Sequence, residues 1–137
     1  MLIFSKTKPS KIHICGIQST QQNNLFMDND IKTWLYDILQ SINEIEGYFT
    51  DRQKVFKDYL TDIKTKRAVE RNIEIIGEAV NRILKKDIHF DLINAQQIIG
   101  TRNRIIHGYD KISDDLIWSI IINHLPKLKD EITNLLK

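Results

Sequence analysis

The sequence predicts an all-α fold, a bundle of four main helices with one short extra helix, on three observations. Apolar residues recur at the 3.6-residue helical period through every long segment after Asp28. Candidate caps and stops flank those segments, and only one of the two prolines, Pro126, falls within them. Isoleucine is abundant and is a mediocre helix former, so propensity alone would admit strands. The persistence of the period along whole segments outweighs it.

The first helix carries Ile31, Trp34, Leu35, Ile38, Leu39, Ile42 and Ile45 on one face, with Asp30 as its expected N-cap and Gly47 as its stop. A short piece is expected around residues 51–59. A long helix follows over about residues 61–85, striped by Val69, Ile73, Ile76, Gly77, Val80, Ile83 and Leu84. Gly77 lies inside that stripe, where close helix packing would offset its propensity cost of about 1 kcal/mol. A third major helix runs from about Asn94 to Ile106 and ends at Gly108. Ser113 or Asp114 then caps a last helix striped by Leu116, Ile117, Ile120, Ile121, Leu125, Leu128, Ile132 and Leu135, which Pro126 should kink.

With 137 residues, 42% of them hydrophobic, the chain reads as one globular domain able to bury a sizeable core. Residues 1–26 differ from the rest: Pro9, Gly16, the trio Lys6, Lys8 and Lys11, and the tract QSTQQNN sustain no period. They read as a flexible N-terminal extension, with residues 27–137 as the helical domain and Met27 as a candidate physiological start. The single cysteine, Cys15, excludes an intrachain disulfide and a Cys-based zinc site. No apolar run approaches a membrane span and no signal peptide is expected, so the expected location is cytoplasmic. A net charge of +2 excludes a globally basic nucleic-acid binder and leaves only a local patch.

The segment GTRNRIIHGYD, residues 100–110, carries chemistry. At 100° per residue Ile98, Ile99, Ile105 and Ile106 define one face, and Arg102 falls in the middle of it. An unpaired buried guanidinium costs several kcal/mol, so Arg102 needs a carboxylate, carbonyls or a polar opening at a helix or subunit interface. Glu74 and Glu78 are candidate partners. Gly100, Asn103, Arg104 and His107 occupy the opposite face. Arg102 and His107 stand about 140° apart in a straight helix. They can serve one phosphate if the helix ends near Ile106 and Gly108 turns the chain back, or if a two-fold mate supplies the complementary set. The same residues also admit a structural reading, in which Arg102 ties the helix end and His107 answers the C-terminal dipole.

Residues 64–86 hold seven cations against three carboxylates. Arg67/Glu70, Arg71/Glu74 and Glu78/Arg82 are spaced as ordinary intrahelical pairs, and the remaining lysines are candidates to line an RNA approach. His13, His89 and His124 are isolated and read as surface or core residues.

The pattern R-x-x-x-x-H-x-Y, present as Arg102, His107 and Tyr109, resembles the signature of the HEPN superfamily, specifically its HepT branch of toxin ribonucleases. The frame makes the match specific. RAVERNIEIIGEAVNRI at 67–83, IIGTRNRIIHGYD at 98–110 and IWSIIINHLPKL at 117–128 follow the family's order and spacing. The resemblance covers about residues 27–137, and departs at Ala95, where an aromatic residue is expected nearby.

The resemblance implies a HEPN-like, dimeric fold and a metal-independent endoribonuclease, with no metal and no cofactor, in which the ribose 2′-OH attacks its adjacent phosphate. His107 would move protons and Arg102 would hold the phosphate, while Asn103 and Arg104 position the RNA backbone. Cyclising cleavage ordinarily needs one group to take a proton and another to give one, and a homodimer supplies the second His107. The implied setting is a type VII toxin–antitoxin system. Its antitoxin, a minimal nucleotidyltransferase (MNT), would attach AMP to Tyr109 and so block the site by charge and bulk. The alternative is a non-catalytic helical nucleotide-binding accessory subunit of a nucleotidyltransferase.

Overall fold

The computed structural model describes residues 27–107 and 113–137. The expectations for residues 1–26 and for Gly108 and Tyr109 lie outside them. Helix α1 spans Asn29–Gly47, and its N-cap is Asp28 rather than Asp30. The Asp28 carboxylate accepts from the backbone N–H groups of Asp30 at 2.8 Å and Ile31 at 3.2 Å. Asp30 sits inside the first turn, where its charge favours the helix dipole instead. The buried face holds Ile31, Leu35, Ile38, Ile42 and Ile45, as the period predicts.

The short helix α2, Phe56–Thr61, begins later than residues 51–59 would place it. Asp62 then caps α3, Ile63–Lys86, accepting from the Thr65 N–H at 3.1 Å and the Thr65 hydroxyl at 2.6 Å. Its other partner is the Arg52 guanidinium at 3.0 Å. A 3-10 turn, Ile93–Ala95, leads into α4, Gln96–His107. Between the two remaining capping candidates the structure selects Ser113, whose hydroxyl accepts from the Asp115 N–H at 3.1 Å and starts α5, Asp114–Ser119. Among the described residues there is no strand.

The interruption expected at Pro126 takes the form of a π-helical turn, Ile120–His124, between α5 and α6, Leu125–Leu135. Proline has no N–H, and its ring would crowd the carbonyl four residues back. The wider turn, closed by the Leu125 N–H on the Ile120 carbonyl, lets the helix restart with Pro126 in its first turn, where no donor is required. Counted with this turn, α5 and α6 form the fourth main helix.

Helix α3 is central, packing on α1 and α4, while α6 closes against α1 and the 3-10 turn. Charged ties fix the layers at their ends. Lys66 of α3 reaches Asp114 at 2.9 Å, Lys86 reaches Asp30 at 2.6 Å, and Lys129 of α6 reaches Glu46 at 2.7 Å. Lys66 and Lys86 therefore hold helices together, which corrects their reading as unpaired lysines lining an RNA approach. The three intrahelical pairs form as spaced: Arg67–Glu70 at 3.8 Å, Arg71–Glu74 at 3.7 Å and Arg82–Glu78 at 3.3 Å. Among the described residues no helix is long and apolar enough to cross a membrane.

The Thr65 hydroxyl and N–H, with Arg52, lower the Asp62 carboxyl to a pKa of about 2 from an ordinary 3.8. Because the folded value lies below the unfolded one, this cap stabilises the fold above pH 4 and loses that effect as pH falls toward 2. Thermal midpoints measured between pH 5 and pH 2 should fall less steeply in Asp62→Asn than in the parent chain.

Candidate active site

The site is built where α4 crosses α3 at Gly77. A Cβ placed on Gly77 would lie 2.7 Å from Cγ of Arg102 and closer still to its Cβ. The glycine thus seats the stem of Arg102 directly on the α3 backbone, confirming its role in close packing. That seat carries the guanidinium to the next α3 residue, Glu78, whose carboxylate accepts from Nη2 of Arg102. Nη1 donates to the Asn103 side-chain oxygen at 2.9 Å. Nε is buried and has no hydrogen-bond partner.

Of the two candidate carboxylates, Glu78 is the partner. Glu74, one turn earlier on the same face, is held by Arg71 instead. Glu78 also accepts from Nε of Arg82 at 3.3 Å, so one carboxylate joins two guanidinium groups. The Arg102 side chain is 20% exposed and that of Glu78 41%, so the pair is only partly withdrawn from water. Its charge is compensated where an unpaired guanidinium would be costly, and Arg102 still lines a cleft between helices.

The apolar stripe of α4 lies further round than the isoleucines alone indicate. Ile98 and Thr101 are buried in line with Ala95 of the preceding 3-10 turn, and the Thr101 hydroxyl donates to the Gln97 carbonyl at 2.8 Å. Ile99 and Ile105 flank them, partly buried. Ile106, expected on the core face, is 47% exposed because it stands at the stripe's edge and faces a cleft. Ala95 is fully buried at the position where an aromatic was expected nearby, so the core here is filled by a small residue and its neighbours.

The α4 helix runs through His107, one residue beyond the expected end. His107 therefore keeps its helical direction, about 140° from Arg102. Both His107 and Arg104 are exposed in the last turn, where the helix dipole favours cations. Within one chain, the structure brings Arg102, Asn103 and Glu78 together and leaves His107 on another side of the helix. Tyr109 lies outside the described residues.

The start of α4 is held from a distance. The Glu131 carboxylate of α6 accepts from the N–H groups of Ile93 at 2.9 Å and Asn94 at 3.3 Å. Sequence reasoning missed this tie, and it also missed a cleft of about 300 Å³ bounded by α1, α3 and α4. Trp34 and Asp37 of α1 line it with Arg71 and Arg82 of α3 and Arg102 and Ile106 of α4. Trp34 reads from sequence simply as a member of the α1 stripe.

A helical bundle with an R-x4-H helix clamped on a neighbouring helix is consistent with the all-α fold that the resemblance to HEPN proteins implies. The family model for HepT-like proteins, described as "Ribonuclease HepT-like", matches residues 38–135, and the chain belongs to this family. It is 34% identical over 109 residues to "Putative RNase MJ0127" of Methanocaldococcus jannaschii, covering 79% of this chain and 88% of that protein. It is also 34% identical over 113 residues to "Probable ribonuclease HepT" of Thermococcus cleftensis, covering 81% of this chain and all of that one. No solved structure matches the chain.

Two glycine substitutions check the seat. Gly77→Ala gains about 1 kcal/mol of helix propensity but forces Arg102 away from α3, an overpacking that costs about 1 to 3 kcal/mol. Urea unfolding should therefore show no gain or a net loss. Gly100 of α4 has nothing within 4 Å of a built Cβ, so Gly100→Ala should stabilise by about 0.5 to 1 kcal/mol.

Proposed function

We propose that this chain is the toxin of a type VII toxin–antitoxin system, a metal-independent endoribonuclease acting on RNA as a cytoplasmic homodimer. The observation that carries this reading is the placement of Arg102. It is seated on Gly77 and clamped by Glu78, with His107 exposed five residues later on the same helix. Membership in the HepT-like family supports it.

In the proposed reaction an imidazole takes the proton of the ribose 2′-OH, and that oxygen attacks the adjacent phosphorus. The bond from phosphorus to the 5′-oxygen breaks, and a second, protonated imidazole gives its proton to the leaving oxygen. The products are a 2′,3′-cyclic phosphate and a free 5′-OH. Arg102 stabilises the charge that builds on the phosphoryl oxygens, while Asn103 and Arg104 position the backbone. A chain with one motif histidine, set about 140° from its arginine, completes this set by pairing with a second copy. His107 of each protomer then faces Arg102 of its mate.

The MNT antitoxin acts on Tyr109, two residues beyond His107. Transfer of AMP to the phenolic oxygen places phosphate and bulk where the RNA phosphate would lie, so repulsion and occlusion act in the same direction.

Purified protein incubated with cellular RNA in excess chelator should cleave it, and His107→Ala and Arg102→Ala should each lower the rate at least about a hundredfold. Binding of nucleotide without cleavage would instead support the accessory-subunit reading. Co-expression with the cognate nucleotidyltransferase should yield AMP on Tyr109 by peptide mass spectrometry, with none on Tyr109→Phe. An unmodified Tyr109 in silenced protein would contradict the antitoxin mechanism.

A further inference from the structure

The cleft beside Arg102 has a composition that a phosphate site would not need. Three arginines and three carboxylates line it, so its formal charge cancels. Glu74 is engaged by Arg71, and Glu78 by Arg82 and Arg102. Among the described residues no cation pairs with Asp37, which is exposed three positions after Trp34 on the same face of α1. The partly buried indole of Trp34 and the side chain of Ile106 supply apolar wall. A volume of about 300 Å³ matches the lower end of small-molecule pockets, room for one nucleoside and not for a helix or a duplex.

We infer that this cleft is a nucleoside subsite for single-stranded RNA, in which a base stacks on Trp34 and presents an amino group to Asp37 while its phosphate reaches Arg102. The inference rests on the reading that the chain acts on RNA, and deepens it. Aromatic faces hold splayed-out bases of single strands, and a carboxylate only accepts hydrogen bonds. Adenine and cytosine, with exocyclic amino groups, are therefore favoured over uracil. Because Arg102 also lines this cleft, the bound base sets which phosphate lies at the guanidinium.

The test uses 2′-O-methylated single-stranded hexamers of A, C and U, which have no free 2′-OH and so report binding alone. Binding is followed by tryptophan fluorescence. Trp118, the chain's other tryptophan, packs among Phe49, Phe56 and Tyr59 and serves as an internal reference. The A and C hexamers should quench Trp34 and bind several-fold tighter than U. Trp34→Ala should weaken binding about tenfold or more, and Trp34→Phe should retain most of it. Asp37→Ala should erase the preference over U whatever it does to overall affinity, a ratio that general charge or stability effects leave unmoved. If Trp34→Ala does not fold, Trp34→Phe and Asp37→Ala still decide the matter.

Equal affinity for the three hexamers in the parent chain overturns the subsite, as does a change in sedimentation on Trp34→Ala with base preference intact, which would mean that a second copy covers the cleft. The two readings fail separately. Hexamer binding through Trp34 without cleavage of ordinary RNA removes the ribonuclease and keeps the subsite. Cleavage with an unchanged KM in Trp34→Ala does the reverse.

Discussion

The ion pair between Arg102 and Glu78 is the constraint around which this bundle is arranged. A guanidinium on the inner side of α4 has to be neutralised, and the carboxylate that does so is on a different helix, 24 residues away. Only a close approach of α3 and α4 brings them together, and Gly77 permits it by presenting no side chain at the crossing. The pair thus couples packing to chemistry. The residue proposed to hold phosphate also sets the spacing of the two helices, and its partner Glu78 is in turn braced by Arg82. An arginine held at both ends loses little further freedom when it meets an anion, which is the economy of a preorganised electrostatic site.

The rest of the fold keeps α4 in register with that clamp. Glu131 of α6 holds the approach to α4, while Lys66 and Lys86 tie α3 to the starts of α5 and α1. Around Trp118, Phe49, Phe56 and Tyr59 form an aromatic cluster with ring centroids 5.2 to 6.0 Å apart, joining the α1 end and α2 to α5. The Tyr59 hydroxyl is buried there without a hydrogen-bond partner, and burial, with the nearby charges of Asp114 and Glu70, pushes its pKa upward. The phenol stays neutral and acts as part of the core.

His107 obeys a different constraint. The α4 helix carries it outward instead of folding it onto Arg102, so the two groups of the motif point in different directions from one rigid rod. In the proposed two-fold arrangement that divergence becomes complementarity, each protomer offering its imidazole where the other needs one. The proposed dimer and the proposed two-histidine reaction have this common geometric origin.

Features set by local periodicity were legible in the sequence: the all-α class, the buried faces of α1 and α3, the three intrahelical ion pairs and the motif that identifies the family. Each depends on spacings within one element, where a residue's direction follows from its position along the helix. Features between elements were not legible. Nothing local distinguishes Glu78 from Glu74 as the partner of Arg102, since both lie on one face of α3 a turn apart; the crossing point at Gly77 decides it. The same holds for the exposure of Ile106, the use of Lys66 and Lys86 as ties, and the meeting of Trp34 and Asp37 with Arg102 across one cleft. The sequence by itself determined which helices form and which faces they bury. Only the tertiary structure decided which charges meet, because register and crossing angle arise from the packing of all the helices together.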